Sequence, residues 1–401
     1  METGEAVRSG SVTLESERAP GPSGRVSRER LVLFFTRGMS LEGWERAGML
    51  GRELALYQAL RSHMEDVAFL TYGPEQTAQG IVGPIAILPN RWRIHSTLYS
   101  VIAPLLYART LWRATIFKTN QLNGAWTAVI AKRLFRKPLL VRCGYLLTRP
   151  ADRIAGGPWA QHRARWIEGA VCRAADRIIV VTEADRRHLM ELHRIEPMKI
   201  RVIPNAIDTE RFRPMPEIAK EAGRLIVVGR LSAEKRPGLL FDAIRRLDGV
   251  RLSVVGDGPL REALARRARE ERLPVEFLGM VSNEQLPRLL NRAEAFVLPS
   301  QYEGHPKGLL EAMACGLPVI GTAVPGIQEA ITHRVTGYLC APSAGALRAG
   351  IAEVLADAAL RQEMGRQARR AVETACALPA VVEQECALLD ELCAERDRRN
   401  G

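Results

Sequence analysis

The chain has 401 residues, enough for two domains at about 100–200 residues per domain. Hydrophobic residues make up 47% and charged residues 25%, which excludes a largely disordered chain, a collagen-like chain and a coiled-coil rod. Its 57 Lys and Arg against 45 Asp and Glu give a formal net charge of +12. Such an excess favours nucleic acid, anionic lipid headgroups or phosphorylated substrates as partners, without choosing among them.

The N-terminal segment 1–29 is rich in Gly, Pro, Ser, Glu and Arg and lacks the apolar core of a signal peptide, so it predicts a disordered tail. The sequence contains no run of about 18 apolar residues, so it predicts no helix that crosses a membrane. The seven cysteines form no C-x-x-C pair, and their odd number indicates a reducing compartment without a disulfide framework. We therefore expect a cytoplasmic location.

After the tail, short apolar runs alternate with amphipathic stretches. They predict a helix over 44–61 and buried strands at 31–35, 67–71, 114–118, 138–143, 177–181 and 199–203. The stretch 94–112 is strongly apolar, yet it contains His95, Pro104 and Arg109 and is flanked by further arginines. Two interpretations remain open for it: a core helix with basic ends, or a helix lying on an anionic membrane surface.

A looser stretch with Pro214 and Pro216 predicts a linker over 214–222, which ends a first domain of residues 30–213. The second domain, 223–377, has predicted strands at 224–228, 251–255, 275–278, 295–298 and 318–321, each followed by a helical pattern. Helical residues 378–401 follow. Alternating strands and helices predict an α/β fold with two Rossmann-like, doubly wound parallel-sheet domains that face a central cleft.

Polar residues follow the predicted strands of the second domain where ligands bind in such folds. The first strand leads into Gly229, Arg230 and, five residues later, Lys235, and the second strand leads into Gly256 and Gly258. Arginine and lysine at one loop can converge on a phosphate. Either feature alone has a plain structural explanation, as a solvated surface charge or a tight turn, and their joint occurrence favours a binding site.

The fourth strand leads into Glu303, His305, Pro306 and Lys307, and then into a helix that carries Glu311. Proline suits the first turn of a helix, and the N–H groups of that turn favour an anion. A carboxylate can accept two hydrogen bonds from a sugar diol. The set therefore predicts a diphosphate site beside two sugar-binding carboxylates.

These stretches resemble the family 4 retaining glycosyltransferases of the GT-B fold. The matching stretches are GRLSAEKRPGLL, VVGDGPLREAL, the segment from FLGM to QEAI at 277–331, and VTGYL, while VIPNAIDTERFRP resembles the end of the family's first domain. The family's two glutamates, with seven residues between them, match Glu303 and Glu311. The stretches that match in the second domain lie densely within residues 229–339.

The resemblance implies a role for each matching residue. Arg230 and Lys235 would bind the donor diphosphate, Glu303 would face the transferred sugar, and Glu311 would hold the ribose. Further donor-site residues would be Gly229, Gly256, Gly258, His305, Pro306, Lys307, Gly308, Leu309 and Leu310. The last helices, near 378–394, would pack back on the first domain.

The first domain departs from the family pattern. Where relatives often have paired glycines, the loop after the first strand has only Gly38, and where many have a histidine the chain reads Arg142-Cys143-Gly144-Tyr145. Gly38, Gln121 and Tyr145 are predicted as acceptor-side residues, although Gln121 and Tyr145 fit a purely structural role equally well. A catalytic histidine and the acceptor are not defined by the resemblance.

The chain has no D-x-D motif, so we expect no bound metal and no cofactor apart from the sugar-nucleotide substrate. The expected activity is metal-independent transfer of a hexose, with retention, from a UDP- or GDP-linked sugar to a glycan or lipid-linked acceptor in cell-surface polysaccharide or lipopolysaccharide assembly. The enzyme would be peripheral on the inner face of the cytoplasmic membrane, with its remaining positive charge spread over surface helices.

Two other functions are weighed against this one. A sugar-nucleotide epimerase or phosphorylase could use the same scaffold, because a fold does not determine a reaction. A basic nucleic-acid-binding protein fits the net charge, but the chain lacks a zinc finger and basic strands interleaved with aromatic residues, so nucleic acid is not an expected partner.

Overall fold

Two parallel β-sheets, one in each half of the chain, form the framework of the protein. The computed structural model describes residues 27–75, 82–149 and 157–400, and residues 1–26 of the predicted tail lie outside this range. The first strand begins at Ser27, inside the segment predicted as tail. The predicted α/β class with two doubly wound parallel sheets is confirmed.

The first sheet, within the described residues, has seven strands in the order β3-β2-β1-β4-β5-β6-β7. They are β1 (Ser27–Phe34), β2 (Met64–Leu70), β3 (Ala86–Leu88), β4 (Ile116–Thr119), β5 (Leu139–Cys143), β6 (Arg177–Val180) and β7 (Ile200–Val202). Both faces of the sheet are covered, which explains why its inner strands are nearly continuous apolar runs. The edge strand β3 was not predicted, because three residues are too few to show a periodicity.

The helices of this half are α1 (Leu41–Arg46), α2 (Leu50–Arg61), α3 (Ser96–Leu106), α4 (Ala108–Arg113), α5 (Trp126–Phe135), α6 (Gly157–Ala174) and α7 (Glu183–His193). The single helix predicted over 44–61 is two helices, because the chain turns at Gly48, whose φ is +64°. Right-handed crossovers place α3, α5 and α6 on one face of the sheet and α2 on the other.

The second sheet, again counting described residues, has six strands in the order β10-β9-β8-β11-β12-β13. They are β8 (Arg224–Val228), β9 (Arg251–Val255), β10 (Val275–Gly279), β11 (Ala295–Leu298), β12 (Val319–Thr322) and β13 (Tyr338–Cys340). The helices are α8 (Pro237–Ile244), α9 (Arg261–Glu270), α10 (Leu286–Arg292), α11 (Lys307–Ala314), α12 (Pro325–Ala330), α13 (Ala344–Ala356), α14 (Ala358–Ala375) and α15 (Leu378–Asn400). Short 3₁₀ turns span Pro197–Lys199 and Ala233–Lys235.

The order of strands reverses between β1 and β4 in the first sheet and between β8 and β11 in the second. Loops diverge at such points and leave a crevice at the carboxyl ends of the strands. The predicted polar residues Lys235 and Glu303 follow β8 and β11, so the topology brings them together although 68 positions separate them.

The C-terminal helix α15 packs on the first domain. Its Val381, Leu388 and Leu392 are buried in the core of that domain, and the helix contacts α2. Its Glu385 is fully buried and forms ion pairs with Lys118 of β4 and Arg142 of β5. No helix among the described residues is both long and apolar enough to cross a bilayer.

Candidate active site

A cavity of about 450 Å³ lies between the carboxyl ends of the two sheets. Its lining comes from both domains and includes Gln121 and Tyr145 from the first and Lys235, Glu303 and His305 from the second. Residues from six separate loops or helices meet there, so the cavity exists only in the folded two-domain molecule. Its size falls within the range of small-molecule sites in proteins.

Lys235 and Glu303 form the charged centre of this cavity. The Nζ atom of Lys235 lies 2.6 Å from Oε1 and 2.8 Å from Oε2 of Glu303. Ser300 also donates its hydroxyl to Oε1 of Glu303, at 2.6 Å. These contacts hold the Glu303 carboxylate in place. The ammonium group of Lys235 lies in the cavity wall, where it would stabilise negative charge on a ligand.

Glycines allow the loops of the second domain to approach each other at the cleft. A Cβ on Gly256 would lie 2.0 Å from the carbonyl oxygen of Gly229, and the φ of Gly256 is +128°. A Cβ on Gly326 would lie 1.7 Å from the carbonyl oxygen of Gly304, directly after Glu303. Both positions require glycine because another side chain would displace the loop backbone.

Glu311 lies near the start of α11 and is almost completely buried. Arg52 of α2 crosses from the first domain and donates Nη2 to Oε2 of Glu311 at 2.7 Å. Burial raises the pKa of Glu311, and Arg52 and Lys307 oppose that rise. The Glu311 carboxylate is thus paired with a cation of the opposite domain.

A second ion pair joins the domains beside the first. Nζ of Lys307 lies 2.5 Å from Oε1 of Glu53, the residue after Arg52. Burial disfavours ionisation of Glu53, but the positive charge of Lys307 is strong enough to leave the pKa of Glu53 below its ordinary value. The two pairs connect the first turn of α2 with the first two turns of α11.

His305 is held by a network that also spans the domains. The backbone N–H of Asn205 donates to Nδ1 of His305 at 3.2 Å, and the amide group of Asn205 accepts from Arg142 at 3.1 Å. Arg142 in turn pairs with Glu385 at 2.7 Å. Burial lowers the pKa of His305 to about 4, with Arg142 and Lys307 adding to the effect, so the ring is neutral at pH 7.

The half-buried His305 should make the free energy of unfolding depend on pH. Its native pKa of about 4 lies below the unfolded value of ~6.5, so between these pH values only the unfolded state takes up the proton. The free energy of unfolding should therefore fall by about 3 kcal/mol more in the wild type than in His305→Asn as pH drops from 7 to 4. Denaturant titrations at several pH values measure this. His162→Asn, at an exposed histidine, should follow the wild type, and equal slopes for wild type and His305→Asn would contradict the prediction.

The structure brings some predicted site residues together and leaves others apart. Lys235, Glu303, His305, Pro306, Lys307, Gln121 and Tyr145 line the cavity. Arg230 is exposed on the loop after β8, and Gly229, Gly256 and Gly258 form the loop contacts beside it, while Gly308 of α11 lies against Val228 of β8. Gly38 is exposed and is not among the lining residues. Leu309 and Leu310 are buried in the core, because that face of α11 packs on the sheet.

Sequence reasoning missed the first-domain residues that contact the second domain at the cleft. Arg52 and Glu53 contact Glu311 and Lys307, and Asn205 orients His305. Nothing distinguishes Arg52 and Glu53 from the other charges of an amphipathic helix. Asn205 lies in the family-like stretch VIPNAIDTERFRP, which was a signal that could have been used. Within the described residues, His, Cys, Asp and Glu form no group of three or more suited to a metal ion.

This architecture is the GT-B fold of glycosyltransferases. The chain is similar to HepE from Anabaena, solved in complex with UDP and glucose, with a TM-score of 0.75, 18% identity, and coverage of 90% of this chain and 99% of that one. It is similar to sucrose-phosphate synthase from Thermosynechococcus elongatus with a TM-score of 0.74, 22% identity, and coverage of 92% and 100%. At such low sequence identities, the similarity to these two structures shows the fold of the chain.

Two family models match consecutive parts of the chain. The model described as Glycosyltransferase Family 4 matches residues 52–211, and the model described as Glycosyl transferases group 1 matches residues 208–371. The two matches together run through both domains. The chain belongs to the group 1, family 4 glycosyltransferases, as the resemblance predicted.

Curated relatives match a part of the chain. A glycogen synthase from Mycobacterium tuberculosis is 33% identical over 213 residues, which is 51% of this chain and 51% of the relative. A D-inositol 3-phosphate glycosyltransferase from Mycolicibacterium paratuberculosis is 35% identical over 190 residues, 43% of each. The chain thus spans about half the length of the curated relatives it matches.

Proposed function

We propose that this protein is a retaining glycosyltransferase that moves a hexose from a nucleoside diphosphate sugar, UDP- or GDP-linked, to a glycan or lipid-linked acceptor in cell-surface polysaccharide assembly. The observation that carries the proposal is the Lys235–Glu303 pair in the cleft, 2.6 Å between Nζ and Oε1, with His305 beside it. The family membership and the complex of HepE with UDP and glucose support the same class of donor.

The proposed reaction breaks the bond between the anomeric carbon and the diphosphate oxygen, so negative charge develops on the leaving diphosphate. Lys235, Arg230 and the first amides of α11 would stabilise that charge, which is the form of catalysis that a fixed cation provides best. These groups supply positive charge from the protein itself, and we propose that no metal or other cofactor is required. Transfer that continues unchanged in the presence of a chelator is the expected result.

Glu311 is proposed to bind the two hydroxyl groups of the ribose. Its carboxylate pairs with Arg52, so a bound ribose would share or replace that contact. Donor binding and the contact between the domains would then be coupled, because Arg52 belongs to the first domain and Glu311 to the second.

A thermal-shift screen with UDP, GDP and ADP sugars tests the proposed donor. A ligand that binds the native state at 100 times its dissociation constant stabilises the fold by about 2.7 kcal/mol. We expect a clear rise in melting temperature with one of the UDP or GDP sugars. Release of the nucleoside diphosphate only when an acceptor is present distinguishes a transferase from an epimerase. The configuration of the product at the anomeric carbon tests retention.

The excess positive charge is concentrated in one segment. Residues 76–151 contain eleven of the 57 Lys and Arg and none of the 45 Asp and Glu, while the rest of the chain carries 46 against 45. The expectation that the excess is spread over surface helices was therefore wrong. Lys118, Lys132, Arg142 and Arg149 of this segment pair with carboxylates elsewhere in the chain. Arg91 and Arg93 precede α3, and Arg109 and Arg113 lie in α4.

Large apolar side chains are exposed between those arginines. Leu98, Leu105 and Trp112 are 57%, 64% and 68% exposed, whereas Tyr99 and Leu111 of the same two helices are completely buried. The two helices thus have one apolar side that faces the core and a second apolar side that faces solvent. The interpretation of 94–112 as an ordinary core helix does not explain the second side. Exposed leucine and tryptophan among arginines fit an anionic bilayer better than a nucleic acid backbone.

We propose that this outer side of α3 and α4 binds an anionic membrane surface, which would place the enzyme beside a lipid-linked acceptor. Binding to vesicles that contain phosphatidylglycerol should weaken with salt and should fall by roughly tenfold in Leu105→Ser, since a fully buried leucine contributes about 1.5–3 kcal/mol. Vesicle sedimentation measures both effects. Val335→Ser, at an exposed valine of the second domain, is the matched control. Equal binding of neutral and anionic vesicles would contradict this part of the proposal.

A further inference from the structure

A groove of about 760 Å³ runs between α5 and α6 on the outer side of the first domain. From α5 it is lined by Trp126, Val129, Ile130 and Arg133, which have the spacing of one face of a helix. From α6 it is lined by a similar stripe in which Ala160 and Ala164 alternate with larger residues such as Ile167. The small side chains of α6 leave the space that the groove occupies.

The charged residues that line the groove, in the part of the chain that the structure describes, have one sign. They are Arg37, Arg133 and Arg163, and no aspartate or glutamate of the described residues is among them. The guanidinium group of Arg37 lies 5.3 Å from the centre of the Trp126 ring and donates to the hydroxyl of Thr97 at 3.4 Å. An apolar floor with cations along its length is complementary to a ligand that has an apolar body and an anionic group.

The groove ends next to the cleft. In the loop after β4, Gln121 lines the cleft and Asn123 lines the groove. In the loop after β5, Tyr145 lines the cleft and Leu147 lines the groove. The two cavities therefore lie on opposite sides of the same two loops. Arg37 follows β1, the strand that pairs with β4, so its guanidinium group belongs to the end of the groove that is near the cleft.

We propose that the groove binds the hydrocarbon chain of one phosphate-bearing lipid, with the phosphate at Arg37 and the polar end of the molecule directed across the two loops into the cleft. This inference rests on the proposed function, because it assigns a place to the lipid part of a lipid-linked acceptor. It differs from binding to a membrane surface, since one molecule occupies a defined cavity away from the exposed side of α3 and α4.

Isothermal titration calorimetry of the full chain with alkyl phosphates below their micelle concentrations tests the proposal. Each methylene group that enters the groove should tighten binding about fourfold, from about 0.8 kcal/mol per buried CH₂, so dodecyl phosphate should bind more than tenfold tighter than decyl phosphate. Dodecanol should bind more weakly than dodecyl phosphate, and this preference should shrink in Arg37→Gln. Inorganic phosphate should show no saturable binding in the same range.

Variants distinguish the groove from the rest of the surface. Ala164→Trp fills the groove at a half-buried position and should weaken dodecyl phosphate binding at least tenfold, with Ala160→Phe as a second filling variant. Val335→Ser, at an exposed valine of the second domain, should bind like the wild type. The shift in melting temperature with the sugar nucleotide should persist in every variant, and it reports the donor site separately from the groove.

The proposal is overturned if affinity does not depend on chain length, if dodecanol binds as tightly as dodecyl phosphate, or if the filling variants that remain folded bind normally. If the wild type does not bind sugar nucleotides, the proposed function is contradicted instead. Dodecyl phosphate binding in the groove would then still be measured by the same titration, so the two failures are distinguishable.

Discussion

Lys235→Ala is expected to lower the rate of sugar transfer by about 100- to 1,000-fold, the usual effect of removing one group that stabilises charge in a transition state. The Nζ atom contacts both oxygens of Glu303, at 2.6 and 2.8 Å, so the ammonium group lies at the centre of the cleft. We expect the loss chiefly in kcat, because the charge on the leaving diphosphate grows as its bond to the sugar breaks.

Controls separate this effect from damage to the fold. Arg266→Ala removes an exposed cation of α9 in the same domain and should leave transfer unchanged. Lys235→Ala also removes the cation that Glu303 contacts, so Glu303→Gln is needed beside it to show how much of the loss acts through the carboxylate. Initial rates over a range of donor concentrations give kcat and KM for each variant. Near-normal turnover in Lys235→Ala would refute the assigned role of this residue.

Removing the carboxylate of Glu385 is expected to cause a large loss of stability, about 3–5 kcal/mol. Glu385 is fully buried and pairs with Lys118, also fully buried, and with Arg142 at 2.7 Å. Burial disfavours ionisation of Glu385, yet the two cations leave its pKa below the ordinary value, while burial lowers the pKa of Lys118. Glu385→Gln would leave two buried cations without a carboxylate partner.

Chemical denaturation of three variants tests this prediction. Glu383→Gln, an exposed glutamate on the same helix, should unfold like the wild type. Lys118→Met combined with Glu385→Gln should recover part of the loss, because the double variant removes one of the unpaired cations. Since Arg142 also holds Asn205, and Asn205 holds His305, donor binding should weaken along with stability in Glu385→Gln. A double variant that is no more stable than Glu385→Gln would contradict the prediction that the unpaired Lys118 causes part of the loss.

Most of the two sheets could be predicted from the chain because a parallel strand covered on both faces is a continuous apolar run. β8, β9 and β11 were predicted at their observed positions for this reason. The three-residue β13 was missed because so short a strand shows no periodicity. The turn between α1 and α2 was missed because one glycine within a helical pattern is weak evidence for a break.

The residues of the second domain at the cleft could be predicted because they follow the carboxyl ends of successive strands in a fixed order. Lys235, Glu303 and His305 are examples, and all three line the cavity. The contribution of the first domain could not be predicted in the same way. Arg52 reaches Glu311 across 259 positions of sequence, and no local pattern encodes such a contact.

The sequence by itself determined the class of fold, the family and the second-domain motifs that line the cleft, because each depends on local periodicity or on residues close together in the chain. It also contained the origin of the net charge of +12, which is the absence of Asp and Glu from residues 76–151. Only the tertiary structure decided which of those cations are paired inside the protein, which apolar side chains α3 and α4 expose, and that a cationic groove adjoins the cleft. Ion pairs, side-chain exposure and cavities depend on which segments, distant in the sequence, pack against each other. Local sequence patterns do not encode those contacts.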